Sequence, residues 1–65
     1  MRNDEKRALS DTFISRAEDY ERLARNRKEY KGWERNQFTR MAADYRRKAR
    51  NLLREIVEGR DDHNG

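Results

Sequence analysis

Cysteine and proline are absent from this chain, and its 65 residues include only three glycines. Without cysteine there is no disulfide framework and no thiolate to serve as zinc ligand or nucleophile. Without proline, and with Gly32 as the only glycine before Gly59, helix can run from about residue 4 to residue 58 with a break only near Gly32. The single histidine, His63, stands beside Asp61 and Asp62 in a polar terminal stretch and lacks the spaced ligands of a metal site, so no metal and no other cofactor is expected. No apolar run approaches the ~20 residues that cross a bilayer. The opening MRNDEKRALS has no apolar core of a secretory signal, and a cytoplasmic protein is the expectation.

Catalytic chemistry is also poorly provided for. The hydroxyls of Ser10, Thr12, Ser15 and Thr39 have no general base placed beside them by the pattern, and there is no glycine-rich phosphate loop. An enzyme is therefore not expected. The short helices of a DNA-reading helix-turn-helix do not fit the spacing either.

What is present is charge and periodicity. Charged residues make up 46% of the chain and apolar ones 32%, a balance near that of disordered proteins, but the apolar residues recur with helical spacing. In the second half Phe38, Tyr45 and Leu52 fall at heptad position d, with Ala42, Ala49 and Ile56 at a. In the first half Phe13 and Tyr20 take d, Ser10, Ala17 and Ala24 take a, and Leu9, Leu23 and Tyr30 flank at g. The two frames disagree, because Phe13 and Phe38 are 25 residues apart, three heptads plus four. A turn near residues 31–35 resolves the mismatch, and one continuous helix with a stutter is the alternative.

The predicted architecture is all-α: an antiparallel helical hairpin with a helix over about 4–30, a turn at 31–35, a helix over 36–58 and a disordered tail over 59–65. Asn3 or Asp4 is placed to cap the first helix and Gly59 to terminate the second. A domain this short buries only about 60% of its unfolded surface. Ile14, Met41, Leu53 and Val57 widen the apolar stripe beyond what one hairpin covers. The expected assembly is a homodimeric four-helix bundle with Phe13, Ala17, Tyr20, Ala24, Phe38, Ala42, Tyr45, Ala49, Leu52 and Ile56 in its core and interface.

Net charge is +4, and it is unevenly spread. Residues 1–24 carry five basic and six acidic side chains, residues 25–54 eleven and three, and residues 55–65 one and four. Arg40, Arg47 and Arg54 take successive f positions on the second helix, with Arg46 and Arg50 beside them. Arg25, Arg27, Lys28, Lys31 and Arg35 surround the expected turn together with Tyr30 and Trp33. Most of these cations are arginine, whose planar guanidinium suits bidentate contact with phosphate and stacking on bases. Arg46, Arg50 and Arg54 repeat at i,i+4, a like-charge ladder that an anionic partner would relieve. On the first helix Glu18 with Arg22 and Glu21 with Arg25 are spaced as i,i+4 pairs.

These observations favour a non-enzymatic nucleic-acid binder, with structured RNA preferred over a specific DNA sequence. The expected contacts are Arg40, Arg46, Arg47, Arg50, Arg54, Arg25, Lys28, Lys31 and Arg35. The alternative is a small adaptor or inhibitor that offers its amphipathic helices to a larger protein. Surface binding to a membrane ranks third, since the alanine-rich face is shaped for helix packing.

The run Glu5-Lys6-x-Ala8-Leu9, the Phe13-Ile14 pair, the small a and large d residues and the short acidic polar tail resemble the Rop-like plasmid copy-number regulators. The residue matches lie in the first sixteen positions, and beyond them only the pattern agrees. The resemblance implies a homodimer of helical hairpins that binds paired RNA loops through its first helix, at positions held here by Ser10, Ile14, Glu18 and Arg25. Of these only Arg25 suits phosphate contact.

Overall fold

The computed structural model describes residues 2–59. It is a hairpin of two long helices, α1 over Asn3–Ala24 and α2 over Gly32–Val57, which pack against one another along their lengths. No strand occurs among the described residues. The chain therefore turns back on itself, and the stuttered single helix is excluded. The expected tail, apart from Gly59, lies outside the described residues, as does His63.

Helix boundaries differ from the sequence expectation in an instructive way. The first helix ends at Ala24 rather than near residue 30, and the connection spans residues 25–31 instead of 31–35. Asn26 explains the early stop. Its Oδ1 accepts the Glu29 N–H at 3.2 Å and its carbonyl accepts the Tyr30 N–H at 3.3 Å, giving the backbone a local alternative to further helix. Gly32, taken as the breaker, is the first residue of α2 and has no left-handed conformation. The helix start there is set by Lys31, whose N–H donates to Glu34 Oε1 at 2.9 Å. This is one half of a capping box, since a lysine ammonium has no lone pair to return the bond.

The other ends are simpler. Arg2, not Asn3 or Asp4, occupies the cap position of α1 and makes no side-chain cap bond, although Asp4 and Glu5 still put negative charge in the first turn. Gly59 follows the last cap residue with φ +73°, and its N–H donates to the Ile56 carbonyl at 3.1 Å. That is the left-handed helix terminator the sequence predicts.

Packing follows the small-and-large alternation, with the small residues innermost. Ala17, Ala42 and Ala49 are the fully buried apolar residues, and Ser10 is buried beside them with Oγ donating to the Arg7 carbonyl at 2.9 Å. Phe13, Tyr20, Ala24, Phe38, Tyr45, Leu52 and Ile56 are half-buried. Alanine at a lets the helix axes approach closely, so the larger d side chains have no room between the axes and lie along the edge of the contact. They form a ladder of five rings running Phe13, Tyr45, Tyr20, Phe38, Tyr30, with centroid separations of 5.8, 5.8, 6.0 and 4.9 Å. Offset and edge-on contacts of this kind add about 0.5–1.5 kcal/mol per pair beyond area burial.

One residue in this seam was not anticipated. Lys6 is only 1% exposed, and its Nζ lies 3.2 Å from Glu55 Oε1. It stands one heptad before Phe13, so the first frame, extended upward, puts a lysine at d.

The hairpin is long and thin, 48 × 16 × 14 Å, with a radius of gyration of 14.7 Å. A compact chain of this length would have a radius near 11 Å. Met41, Leu53 and Val57 remain exposed on its flanks, Val57 at 86%.

Candidate nucleic-acid interface

The basic residues of the middle of the chain fall into two groups. Arg40, Arg46, Arg47, Arg50 and Arg54 lie on α2, and all five are exposed. Arg25, Arg27, Lys28 and Lys31 lie in or beside the connection, with Arg35 at the first turn of α2. The turn-side group thus sits at the closed end of the hairpin, displaced from where the sequence put the turn but still gathered around it.

Within the helical group the arginines are not equivalent. Arg46 crosses to α1, where its Nε donates to Glu21 Oε2 at 2.6 Å and its Nη2 to Glu21 Oε1 at 2.8 Å. This paired hydrogen bond holds the Glu21 carboxyl below its ordinary value, opposed by partial burial and helped by the Arg25 charge, while raising Arg46 further. Arg46 therefore clamps the hairpin. Arg47 is bound to Asp44 one turn earlier on its own helix. Arg40, Arg50 and Arg54 have no ion pair among the described residues and extend into solvent. The like-charge ladder read from the sequence accordingly loses its first member to a tertiary contact.

The first-helix pairs are also rearranged. Arg22 Nη1 approaches Asp19 at 3.8 Å rather than Glu18, and Glu21 is taken by Arg46 rather than Arg25. Both changes follow from the fold, because Glu21 sits at the e position that faces the e position of the antiparallel partner helix.

Lys48 is turned to another task. Its Nζ lies 5.9 Å from the Phe13 ring centroid and 5.6 Å from that of Tyr45, covering one flank of the aromatic ladder. On the opposite flank, Glu21, Ala24, Arg25, Thr39, Ala42, Ala43 and Arg46 line an open groove of about 490 Å³. Its floor is small and apolar and its rim charged.

The first-helix positions implied by the Rop-like resemblance do not form a basic surface. Ser10 is buried in the helix contact, Ile14 is half-buried and Glu18 is anionic. Arg25 alone is exposed and cationic. Among the described residues no cluster of His, Cys, Asp and Glu is arranged to hold a metal ion, and no helix is long and apolar enough to cross a membrane.

No family model, curated protein or solved structure matches the chain.

The two residues between which sequence reasoning drew no distinction, Tyr30 and Trp33, part company in the structure. Tyr30 packs edge-on against Phe38 at 4.9 Å and caps the ring ladder. Trp33 is 61% exposed.

Proposed function

We propose that this protein is a non-enzymatic nucleic-acid-binding regulator that acts as a homodimer and engages structured RNA through the arginines of α2 and the basic connection. The observation that carries this reading is the exposure of Arg40, Arg50 and Arg54 on one helix without an ion pair among the described residues. They belong to a stretch, residues 25–54, that holds eleven basic and three acidic side chains. A merely soluble face gains nothing from such a segregation of sign, since interspersed charges of both signs solubilise as well and repel less. Phosphates in register with the helix would neutralise it.

Dimerisation is part of the proposal. Three alanines are a small fully buried core for a folded chain, and the half-buried aromatic edge together with Met41, Leu53 and Val57 offers apolar surface that a second hairpin would cover in a four-helix bundle. The likeness to Rop-like regulators supports the same assembly, with the RNA contacts moved from the first helix to the second.

The test is a binding titration with a stem-loop RNA across a salt series. Affinity should fall steeply between about 50 and 200 mM salt as released counterions compete. Replacing Arg40, Arg50 and Arg54 together by glutamine should abolish most of that slope and leave the helical content intact. Arg46 is left out of this variant because its loss would open the hairpin. An affinity that barely responds to salt would falsify the proposal.

A second reading, a protein-interaction adaptor, is favoured by the exposure of Leu53 and Val57. In that case Leu53→Lys with Val57→Lys removes partner binding while the arginine variant retains it.

A further inference from the structure

Trp33 is the one aromatic residue outside the ring ladder. Phe13, Tyr45, Tyr20, Phe38 and Tyr30 contact one another in series, whereas Trp33 makes no ring contact among the described residues and leaves 61% of its surface to solvent. A tryptophan with no packing duty is costly to expose, and the second residue of a helix has no need of one. Its surroundings are cationic. Lys31 and Arg35 lie within two residues of it, and Arg27 and Lys28 stand in the same short connection. The Arg35 guanidinium folds back toward the first residue of α2, since a side chain added at Gly32 would meet its Nη2 at 3.8 Å. The carboxylate of Glu34, which would otherwise repel a phosphate here, is engaged by the Lys31 N–H at 2.9 Å.

We infer that the closed end of the hairpin is a stacking site for an unpaired nucleobase, with Trp33 as the platform and Arg27, Lys28, Lys31 and Arg35 holding the flanking phosphates. Every base offers a π-face, and stacking on an aromatic side chain needs a base free of its duplex neighbours. The arginines of α2 attract any phosphate backbone, paired or not. The two surfaces together therefore select a loop or single-stranded segment over a plain duplex. This rests on the nucleic-acid reading above and adds the feature of the ligand that decides the choice.

The chain contains one tryptophan, so its intrinsic fluorescence reports this site alone. The full-length protein is titrated with a short oligouridylate, with a blunt RNA duplex and with inorganic polyphosphate, while labelled oligonucleotide anisotropy follows binding independently. Saturable quenching by the oligouridylate alone is expected. Trp33→Ala should weaken single-strand binding about tenfold and leave duplex binding unchanged. Its helical content should match the parent, because Trp33 lies outside the ladder.

Binding of the oligouridylate without quenching, or equal affinity for it in Trp33→Ala, overturns the stacking site and leaves the arginine reading standing. Equal quenching by polyphosphate also overturns it, since that response needs charge alone. Failure of both RNAs to bind overturns the nucleic-acid reading itself.

Discussion

Glu21 and Arg46 are 25 residues apart in the chain and meet through two hydrogen bonds at 2.6 and 2.8 Å. The bonded guanidinium lowers the Glu21 pKa from 4.5, so the stability this pair contributes is fully present above that value and is lost as pH falls through the depressed folded one. Glu21→Gln removes that component. Melting temperatures of the parent should exceed those of the variant at neutral pH, and the gap should close between roughly pH 5 and pH 3. High salt should also narrow it, because both side chains are partly exposed. Arg46 changes no charge over this range, so the loss tracks the carboxyl alone.

Lys6 and Glu55 differ from that pair in how unequally they are buried. The lysine is 1% exposed and the glutamate 38%, so the two halves should respond differently to removal. Glu55→Gln takes a counter-charge from a buried ammonium and should cost about 1 kcal/mol in urea unfolding, reduced from the figure for a fully buried pair by the water at Glu55. Lys6→Met keeps the buried aliphatic stem and leaves the glutamate hydrated, and is expected to be close to neutral. Equal losses in the two variants would mean that the packing of Lys6, rather than its charge, matters most.

At the scale of the element, the two glycines that frame α2 have opposite roles. Gly32 opens the helix, has no positive φ, and has room for a β-carbon, with Arg35 Nη2 no nearer than 3.8 Å. Gly32→Ala should therefore stabilise the protein by about 0.5–1 kcal/mol, chiefly by stiffening the unfolded chain. Gly59 has φ +73° with nothing within 4 Å of an added β-carbon, so its cost on substitution is purely backbone. Gly59→Ala should destabilise by about 1 kcal/mol and fray the last turn of α2. Chemical denaturation followed by circular dichroism distinguishes the signs. The boundary of α1 teaches a related lesson, because Asn26 stops the helix with side-chain and backbone acceptors where neither proline nor glycine is present. The Asn in the run Arg25-Asn26-Arg27 was a turn signal, overshadowed by the glycine six residues later.

At the scale of the whole molecule, the 48 × 16 × 14 Å shape leaves little interior. If the proposed bundle forms, folding and association are one equilibrium, and the melting temperature should rise by several degrees over a hundredfold increase in concentration, on the order expected from mass action. Leu53→Lys with Val57→Lys should lower it and shift sedimentation toward a monomer. A melting temperature independent of concentration, with a monomer mass, would remove the bundle from the proposal and leave the hairpin.

Much of the architecture was legible in the sequence because heptad spacing is a local property. The 25-residue offset between Phe13 and Phe38 required the stripe to break, and the alanines at 17, 42 and 49 required close helix contact. The sequence also determined the concentration of positive charge in residues 25–54, since that is a matter of counting. Tertiary structure decided which of those charges are available. Arg46 is committed to Glu21, Lys48 to two rings and Lys6 to the seam, and each assignment depends on which residues of the other helix come opposite when the chain folds back. The separation of Tyr30 from Trp33 was likewise beyond the sequence, because both are aromatics among cations near the turn and only the end of α1 at Ala24 puts one over Phe38 and the other into solvent.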